Sequence, residues 1–392
     1  MVNNSKTVAD FFAGIGLVSL GLEGAGWKTV CALDYDPEKA RAYTNHFGGD
    51  HYRTEDVTKT TGASIPKVTL AHASFPCTDL SVAGARRGIY EGESSAFWQF
   101  VRVVQEMKEV HGEANPPIIL LENVEGLLSS NDGKDLRSLL ETLNELGYAT
   151  DLLRIDAANF VPQSRVRIFV VALHDSLVAT LPTGSFEQER AVHSSSARSR
   201  RILDYIEANA DLRWYFHKLP NLPTREILLE DIVDTSAEWW EKERTDYLFN
   251  QMHERHRELV RESMKQDHYS YFPAFRRMRM RDGEIRSTVE LRSDGLAGCL
   301  RTPKGGSARQ IILRAGKGTF EARLINGAEA ARLMGADDFK IDPSLSLNQV
   351  LFGFGDAVCV PAVEWIGRHY LNNLPIPTND AVIEISRRVL AV

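Results

Sequence analysis

Thr7 to Phe12 is a short apolar run, followed by Ala13-Gly14-Ile15-Gly16 and then a helical pattern through Val18, Leu20 and Leu22 to Gly24-Ala25-Gly26. Strand, glycine turn and helix in that order open a nucleotide-binding α/β unit. Glycine lets the backbone turn tightly and approach a ligand, and the helix presents the positive end of its dipole there. The next apolar run, Thr29 to Leu33, ends in Asp34-Tyr35-Asp36, with Asp34 twenty residues after Gly14. At about that interval a carboxylate at the end of the second strand accepts hydrogen bonds from ribose hydroxyls. The glycine pattern is not GxGxxG, because Val18 and Ser19 follow and the next glycine is Gly21, which disfavours a dinucleotide dehydrogenase. A purely structural turn is the bland alternative. Asp56, beside Val57 at a third potential strand end, would either reach an adenine amine or cap a turn.

The apolar run Pro66 to Ala71 predicts a buried strand, and Ser94 to Val110 predicts a helix with Phe97, Phe100, Val101, Val104 and Val110 on its apolar face. Between them lies Ser74-Phe75-Pro76-Cys77-Thr78-Asp79-Leu80-Ser81-Val82-Ala83-Gly84. A cysteine after a strand of an α/β sheet stands where such folds place their chemistry, although a lone cysteine is as readily a small buried hydrophobe. Pro116 to Leu121 predicts another buried strand running into Glu122-Asn123-Val124. Desolvation there disfavours the charged carboxylate, which suits Glu122 to hold or share a proton, with a helix cap as the alternative. Lys134 to Gly147 reads as an amphipathic helix, and Ala149 to Ile155 and Ile168 to Leu173 as strands. In Gln163-Ser164-Arg165-Val166-Arg167, an extended backbone would put both arginines on one face.

After His174 the pattern breaks, and Pro182 to Arg201 has the Ser, Arg and Gly content of a linker into a second domain. Leu248 to Met264 predicts a charged surface helix. His253-Glu254-Arg255-His256 lacks the i, i+4 histidine pair of a metal motif. Phe275 to Gly283 reads as a hairpin whose Asp282-Gly283 makes the turn and whose arginines alternate. Thr302 to Gln310 is glycine-rich and basic, which suits phosphate contacts. Leu324 to Gly335 and Val358 to His369 read as helices, with Asn348 to Ala357 before the last.

Net charge is -7, but Arg276 to Arg323 holds twelve basic residues against five acidic ones, a surplus of seven that leaves -14 elsewhere. A basic face on an acidic body can bind a polyanion at one surface. The cysteines Cys31, Cys77, Cys299 and Cys359 form no CxxC pair, which argues against a zinc ribbon and a disulfide framework. Met1 to Ala9 lacks the basic and apolar regions of a leader, and no apolar run approaches the ~20 residues of a membrane span. The expectation is a soluble, cytoplasmic protein of 392 residues with one large domain and a smaller one.

Pro76-Cys77 together with Glu122-Asn123-Val124 resembles the cytosine-C5 DNA methyltransferase family of prokaryotic restriction-modification type. Other stretches fall in that family's order. Asp10 to Gly16 resembles its first cofactor motif, Asp34 its ribose-binding acid, Asp56 its adenine-binding acid, and Gln163 to Arg167 its QxRxR motif. Asn326 to Gly335 and Gln349 to Val358 resemble its closing segments. The match covers about the first 175 residues and the last 70, leaving the middle unmatched. Leu17 stands where many members have a third glycine, and Asp356-Ala357 where Asn-Ser or Asn-Ala is usual.

The resemblance implies an α/β fold: a Rossmann-like S-adenosylmethionine-dependent methyltransferase domain over 1–178, a smaller, mainly β or irregular target-recognition domain over 179–347, and a return segment over 348–392. It implies Cys77 as nucleophile at C6 of a flipped cytosine, Glu122 holding N3, and Arg165 supporting Glu122 and the base. It implies S-adenosyl-L-methionine, released as S-adenosyl-L-homocysteine, held by Phe12, Gly14, Gly16, Asp34, Tyr35, Asp56, Val57 and Pro76. Duplex DNA is the implied substrate, with a cognate restriction endonuclease acting separately and no metal. Ser81 in a closing loop and Arg277, Arg279, Arg301, Lys304 and Arg309 are the candidate DNA-binding residues. A tRNA cytosine-C5 methyltransferase shares Pro-Cys and Glu-Asn-Val, and a catalytically silent DNA-binding homologue is the non-enzymatic alternative. The long basic middle segment favours a duplex reader.

Overall fold

A computed structural model describes residues 6–76, 96–181, 196–281, 284–302 and 309–376. The chain divides into two compact units, one of residues 1–155, 166–222 and 362–392, the other of residues 156–165 and 223–361. These breaks differ from the expected ones after 178 and before 348. Residues 166–174 stay with the first unit because they form a strand of its sheet.

That sheet has seven strands: β1 (Thr7–Phe11), β2 (Lys28–Asp34), β3 (Tyr52–Thr54), β4 (Leu70–Ala73), β5 (Ile118–Val124), β6 (Tyr148–Asp156) and β7 (Val166–His174). They lie in the order β3-β2-β1-β4-β5-β7-β6. β1 pairs in parallel with β2 and β4, β2 with β3 and β4 with β5, while β7 runs antiparallel to β5. β5 and β7 are buried along nearly their whole length, which is why both read as almost unbroken apolar runs. The strand order reverses between β1 and β4. In open α/β sheets ligands bind beyond the carboxyl ends of the strands at such a switch point.

Four helices cover the strands: α1 (Leu17–Gly24), α2 (Pro37–Phe47), α3 (Ala96–His111) and α4 (Lys134–Glu145). α2 starts where it does because Asp36 caps it, accepting from Glu38 N and Lys39 N, with Pro37 preset for the first turn. α3 buries Phe97, Phe100, Val101 and Val104 as expected, together with Val103 and Met107. Val110, expected on that face, is 53% exposed because it is out of phase with it: the buried row continues through Met107 and Lys108. The strand expected over Pro66 to Ala71 is shorter and later, Leu70–Ala73. Glu122 and Asn123 lie within β5 rather than after it, which removes the helix-cap reading of Glu122.

The segment after residue 361 returns to this unit. Asn372 accepts from Lys6 Nζ at 2.7 Å and from Trp27 Nε1 at 2.9 Å, and donates to Ala25 O. Contrary to expectation, Leu347–Asn373 is a stretch long and apolar enough to span a membrane, yet 72% of its apolar window is buried. It comprises two helices, Leu347–Asp356 and Val360–His369.

The second unit is built on an antiparallel sheet, β8 (Ser270–Arg281), β9 (Glu284–Leu291), β10 (Gln310–Gly316) and β11 (Thr319–Leu324), in the order β11-β10-β8-β9. Its core joins Ala274, Val289, Ile311 and Leu313 of the sheet to Leu248 and Val260 of two helices, Lys242–Asn250 and Glu254–Met264. A single helix from Leu248 was expected. The chain instead turns at Gln251, and His253 starts a second helix by accepting from Arg255 N. The helix expected from Leu324 begins at Gly327, because Asn326 and Glu329 cap it reciprocally and Leu324 ends β11.

Candidate active site

The turn after β1 carries left-handed backbone at Phe12 (φ 58°), Gly14 (φ 56°) and Gly16 (φ 90°). The two glycines serve different ends. A Cβ on Gly16 would lie 2.5 Å from the Phe47 ring and 2.7 Å from Tyr43, so that position must stay bare for α2 to pack. A Cβ on Gly14 would meet nothing nearer than 4.0 Å, which leaves its backbone open to a ligand. Asp34, at the end of β2, ties the turn down: Oδ2 accepts from Gly14 N at 2.9 Å and Oδ1 from Asp36 N at 3.0 Å. Burial pushes the Asp34 carboxyl above its ordinary range, opposed by the Lys39 ammonium and by those two N–H groups.

Beside Asp34, Tyr35 is 63% exposed and Val57 is buried. Asp56 is exposed, and its Oδ1 accepts from Thr58 N at 2.9 Å. Hydrogen bonds from the Thr58 backbone and side chain hold its carboxyl below the usual range. The residues fit an adenosine-type group in three respects: open backbone at Gly14, an aromatic at Phe12 raised on a left-handed turn, and acids after β2 and β3. Asp34 and Thr54 are register partners, so both acids belong to adjacent strand ends.

β4 feeds the segment Ser74-Phe75-Pro76. Cys77 and Ser81 lie outside the described residues, as does Lys304. Phe75 is buried, with its ring 5.4 Å from that of Phe97. Asn123 Nδ2 donates to Phe75 O at 3.3 Å, which ties β5 to the backbone two residues before Cys77.

Glu122 is 6% exposed, and its Oε1 lies 2.7 Å from Arg167 Nε. The pairing register explains the contact. Val124 faces Arg167 and Glu122 faces Phe169, so Glu122 and Arg167 are diagonal neighbours on one face of the ladder.

Arg165, expected to share that face, is engaged inside the second unit. Its guanidinium donates to Leu300 O at 2.9 Å, Gly355 O at 3.0 Å and Ala357 O, and lies 3.1 Å from Cys299 Sγ. Arg165 precedes β7. Its N–H donates to Asp156 Oδ1 and its carbonyl accepts from Ala157, so it closes a short loop rather than continuing the strand.

In the second unit the hairpin of β8 and β9 is an amphipathic ribbon. Register places Arg277 and Arg279 on one face with Arg286, where both reach Glu290, at 3.3 and 2.6 Å. Met278, Met280 and Ile285 occupy the other face, 60%, 73% and 65% exposed. Residues 282–283 between the strands are outside the described residues. Arg301 is exposed, and Arg309 donates to Asn348 Oδ1 at 2.7 Å.

A family model for C-5 cytosine-specific DNA methylase matches residues 6–372. Among curated relatives, Type II methyltransferase M.BsuFI of Bacillus subtilis is 34% identical over 172 residues, 44% of this chain and 40% of that protein. M.MspI of Moraxella sp is 33% identical over 42% of this chain and 37% of its own. Those matches thus span less than half of each relative. Type II methyltransferase M.HpaII of Haemophilus parainfluenzae matches more of the chain, 28% identical over 386 residues that cover 94% of this chain and 90% of that protein. Among solved structures, Dnmt2 methyltransferase of S. pombe superposes with a TM-score of 0.54 at 15% identity, covering 92% of this chain and 96% of that one. At that identity the likeness shows the fold.

Proposed function

Since the chain belongs to the C-5 cytosine-specific DNA methylase family, we propose that it transfers a methyl group from S-adenosylmethionine to C5 of a cytosine flipped out of duplex DNA. The observation that carries this reading is the Glu122–Arg167 pair at the end of β5, with Asn123 beside it holding the backbone that leads to Cys77.

The chemistry follows from the residues. Cys77 as thiolate attacks C6 of the cytosine, forming an S–C6 bond. Glu122 holds a proton at N3, which draws electron density from the ring and makes C6 electrophilic. Arg167 fixes the Glu122 carboxyl in place; in this reading it, rather than Arg165, is the arginine that works with Glu122. The attack leaves an electron pair on C5. S-adenosylmethionine supplies an electrophilic methyl group on a sulfonium, to be held by Phe12, Gly14, Asp34, Tyr35, Asp56, Val57 and Pro76. The C5 pair would take that methyl group as its bond to sulfur breaks and S-adenosylhomocysteine leaves; C5 then loses its proton, the S–C6 bond breaks with Cys77 leaving as thiolate, N3 returns its proton to Glu122 and the ring regains aromaticity. Because C6 is not reachable within a stacked duplex, the base must leave the stack, at a cost of a few kcal/mol.

We place sequence reading in the second unit. Its β8–β9 ribbon carries arginines on one face, and a two-stranded ribbon fits a major groove. As the named relatives are Type II methyltransferases, the fitting role is DNA modification beside a separate cognate endonuclease. Labelled methyl transfer to plasmid DNA and to tRNA tests the reading. Label in DNA that is lost in Cys77→Ala supports it, and label in tRNA alone overturns it.

A further inference from the structure

Two polar side chains stand where the sheet has no need of them. Asp10 on β1 and His72 on β4 are register partners, 0% and 1% exposed, in the middle of strands that are otherwise apolar. Their neighbours Ala9, Phe11, Ala71 and Ala73 turn to the α3 side and join the main core, so Asp10 and His72 turn to the face that carries α1. His72 Nδ1 lies 2.7 Å from Asp10 Oδ1, and Nε2 lies 3.2 Å from Ser74 Oγ. With Nδ1–H donating to the carboxylate, Nε2 is left to accept the Ser74 hydroxyl. The other Asp10 oxygen accepts from Ser19 Oγ in the first turn of α1 at 2.8 Å, and Ser19 Oγ in turn accepts from Thr29 Oγ1.

A buried polar pair is a poor way to stabilise a sheet, since replacing both partners by apolar groups of the same shape is nearly neutral or stabilising. What this chain of hydrogen bonds does achieve is a connection. One end is α1, which begins directly after the Gly14–Gly16 turn. The other is Ser74, three residues before Cys77. Beside it runs one backbone bond between the same two loops, Ser74 N donating to Phe11 O at 3.4 Å.

We propose that His72 is a positioning residue that couples occupancy of the glycine turn to the placement of the Cys77 loop, through Asp10 and Ser19 on one side and Ser74 on the other. This rests on the cofactor reading above. It requires no direct contact between His72 and either substrate.

The test is alkylation of Cys77 by iodoacetamide in the full chain, followed by peptide mass spectrometry with and without saturating S-adenosylhomocysteine. Two variants break the connection while leaving Asp10 a donor. His72→Asn keeps an N–H where Nδ1 stood but cannot reach Ser74, and Ser74→Ala removes a half-buried hydroxyl. In the wild type, S-adenosylhomocysteine should slow Cys77 alkylation about fivefold or more, a usual size for coupling between sites. In both variants calorimetric affinity for S-adenosylhomocysteine should stay within about threefold of the wild type while the protection of Cys77 falls to about 1.5-fold or less. His72→Gln, which reaches Ser74 but puts no donor where Nδ1 stood, should lose the protection in the same way. Full protection in the two variants would mean that the ligand shields Cys77 directly, and it overturns the proposal. So does a wild type whose Cys77 is indifferent to bound S-adenosylhomocysteine. A wild type that fails to bind S-adenosylhomocysteine overturns the cofactor reading itself.

Discussion

Arg167 Nε meets Glu122 Oε1 at 2.7 Å across two antiparallel strands, with side chains 14% and 8% exposed. A carboxyl held this way keeps one orientation, which a group that must address one ring nitrogen requires. Arg167→Ala should therefore lower methyl transfer about 100-fold or more, as loss of a preorganised electrostatic partner does. Arg165→Ala should act differently. It strips donors from three carbonyls of the second unit, so its effect is about 3 kcal/mol or more of stability. Turnover and urea midpoints measured on both variants separate the two arginines; equal loss of turnover at equal stability would contradict the assignment.

The glycine turn predicts a second contrast. Gly16→Ala combines positive φ with a Cβ 2.5 Å from Phe47, and should cost about 3 kcal/mol of stability. Gly14→Ala has room for its Cβ and should cost about 1 kcal/mol, while weakening S-adenosylhomocysteine binding in calorimetry. Comparable losses of stability in the two would show that Gly14 also packs against the fold.

Asp34 accepts from Gly14 N through one oxygen and from Asp36 N through the other. Asp34→Asn keeps the shape but offers one acceptor in place of two, so calorimetry should show S-adenosylhomocysteine affinity reduced about tenfold. An unchanged affinity would remove Asp34 from the cofactor site.

Stability should fall in mild acid. His51, His174 and His256 all have their pKa lowered by burial, in His174 with help from the Lys108 ammonium. A histidine lowered this way binds fewer protons folded than unfolded, so stability rises with pH across the window. Its contribution is complete above the ordinary value of 6.5 and is lost as pH falls from there toward the folded values. Thermal midpoints should drop between about pH 7.5 and 5.5, and His174→Gln should flatten the slope. A flat profile in the wild type would contradict the burial argument.

The ribbon makes a prediction in salt. Arg277→Ala with Arg279→Ala should reduce the slope of log K against log salt for DNA by about 1.8, near 0.9 for each phosphate no longer neutralised. Glu290 holds both arginines, so Glu290→Gln should tighten binding. If neither change alters DNA affinity, the ribbon lies outside the interface.

The parts of this site that were legible in the sequence are those fixed by strand ends. A run of apolar residues followed by a polar one marks where a strand leaves the core, which located Asp34 and the Ser74 loop from spacing. Glu122 was legible as a desolvated acid, although it sits inside β5. The arginine pair was not resolved, because alternation assumes extended backbone through both residues. Arg165 bonds to Asp156 and Ala157 in a loop closure, so only Arg167 follows the period of β7. The Asp10–His72 pair had a signal, a polar residue inside each of two apolar strands, but joining them required the register of β1 against β4. The second unit was least legible. Its hairpin showed through turn chemistry, whereas its helices depend on caps at His253 and Asn326 that break up apolar runs.

The most direct test of the central claim is bisulfite sequencing of DNA from cells that express the chain, beside cells that express Cys77→Ala. Cytosines in one sequence context should resist conversion with the wild type, and none in that context should resist with the variant. Complete conversion with the wild type, or equal resistance with Cys77→Ala, would contradict that claim.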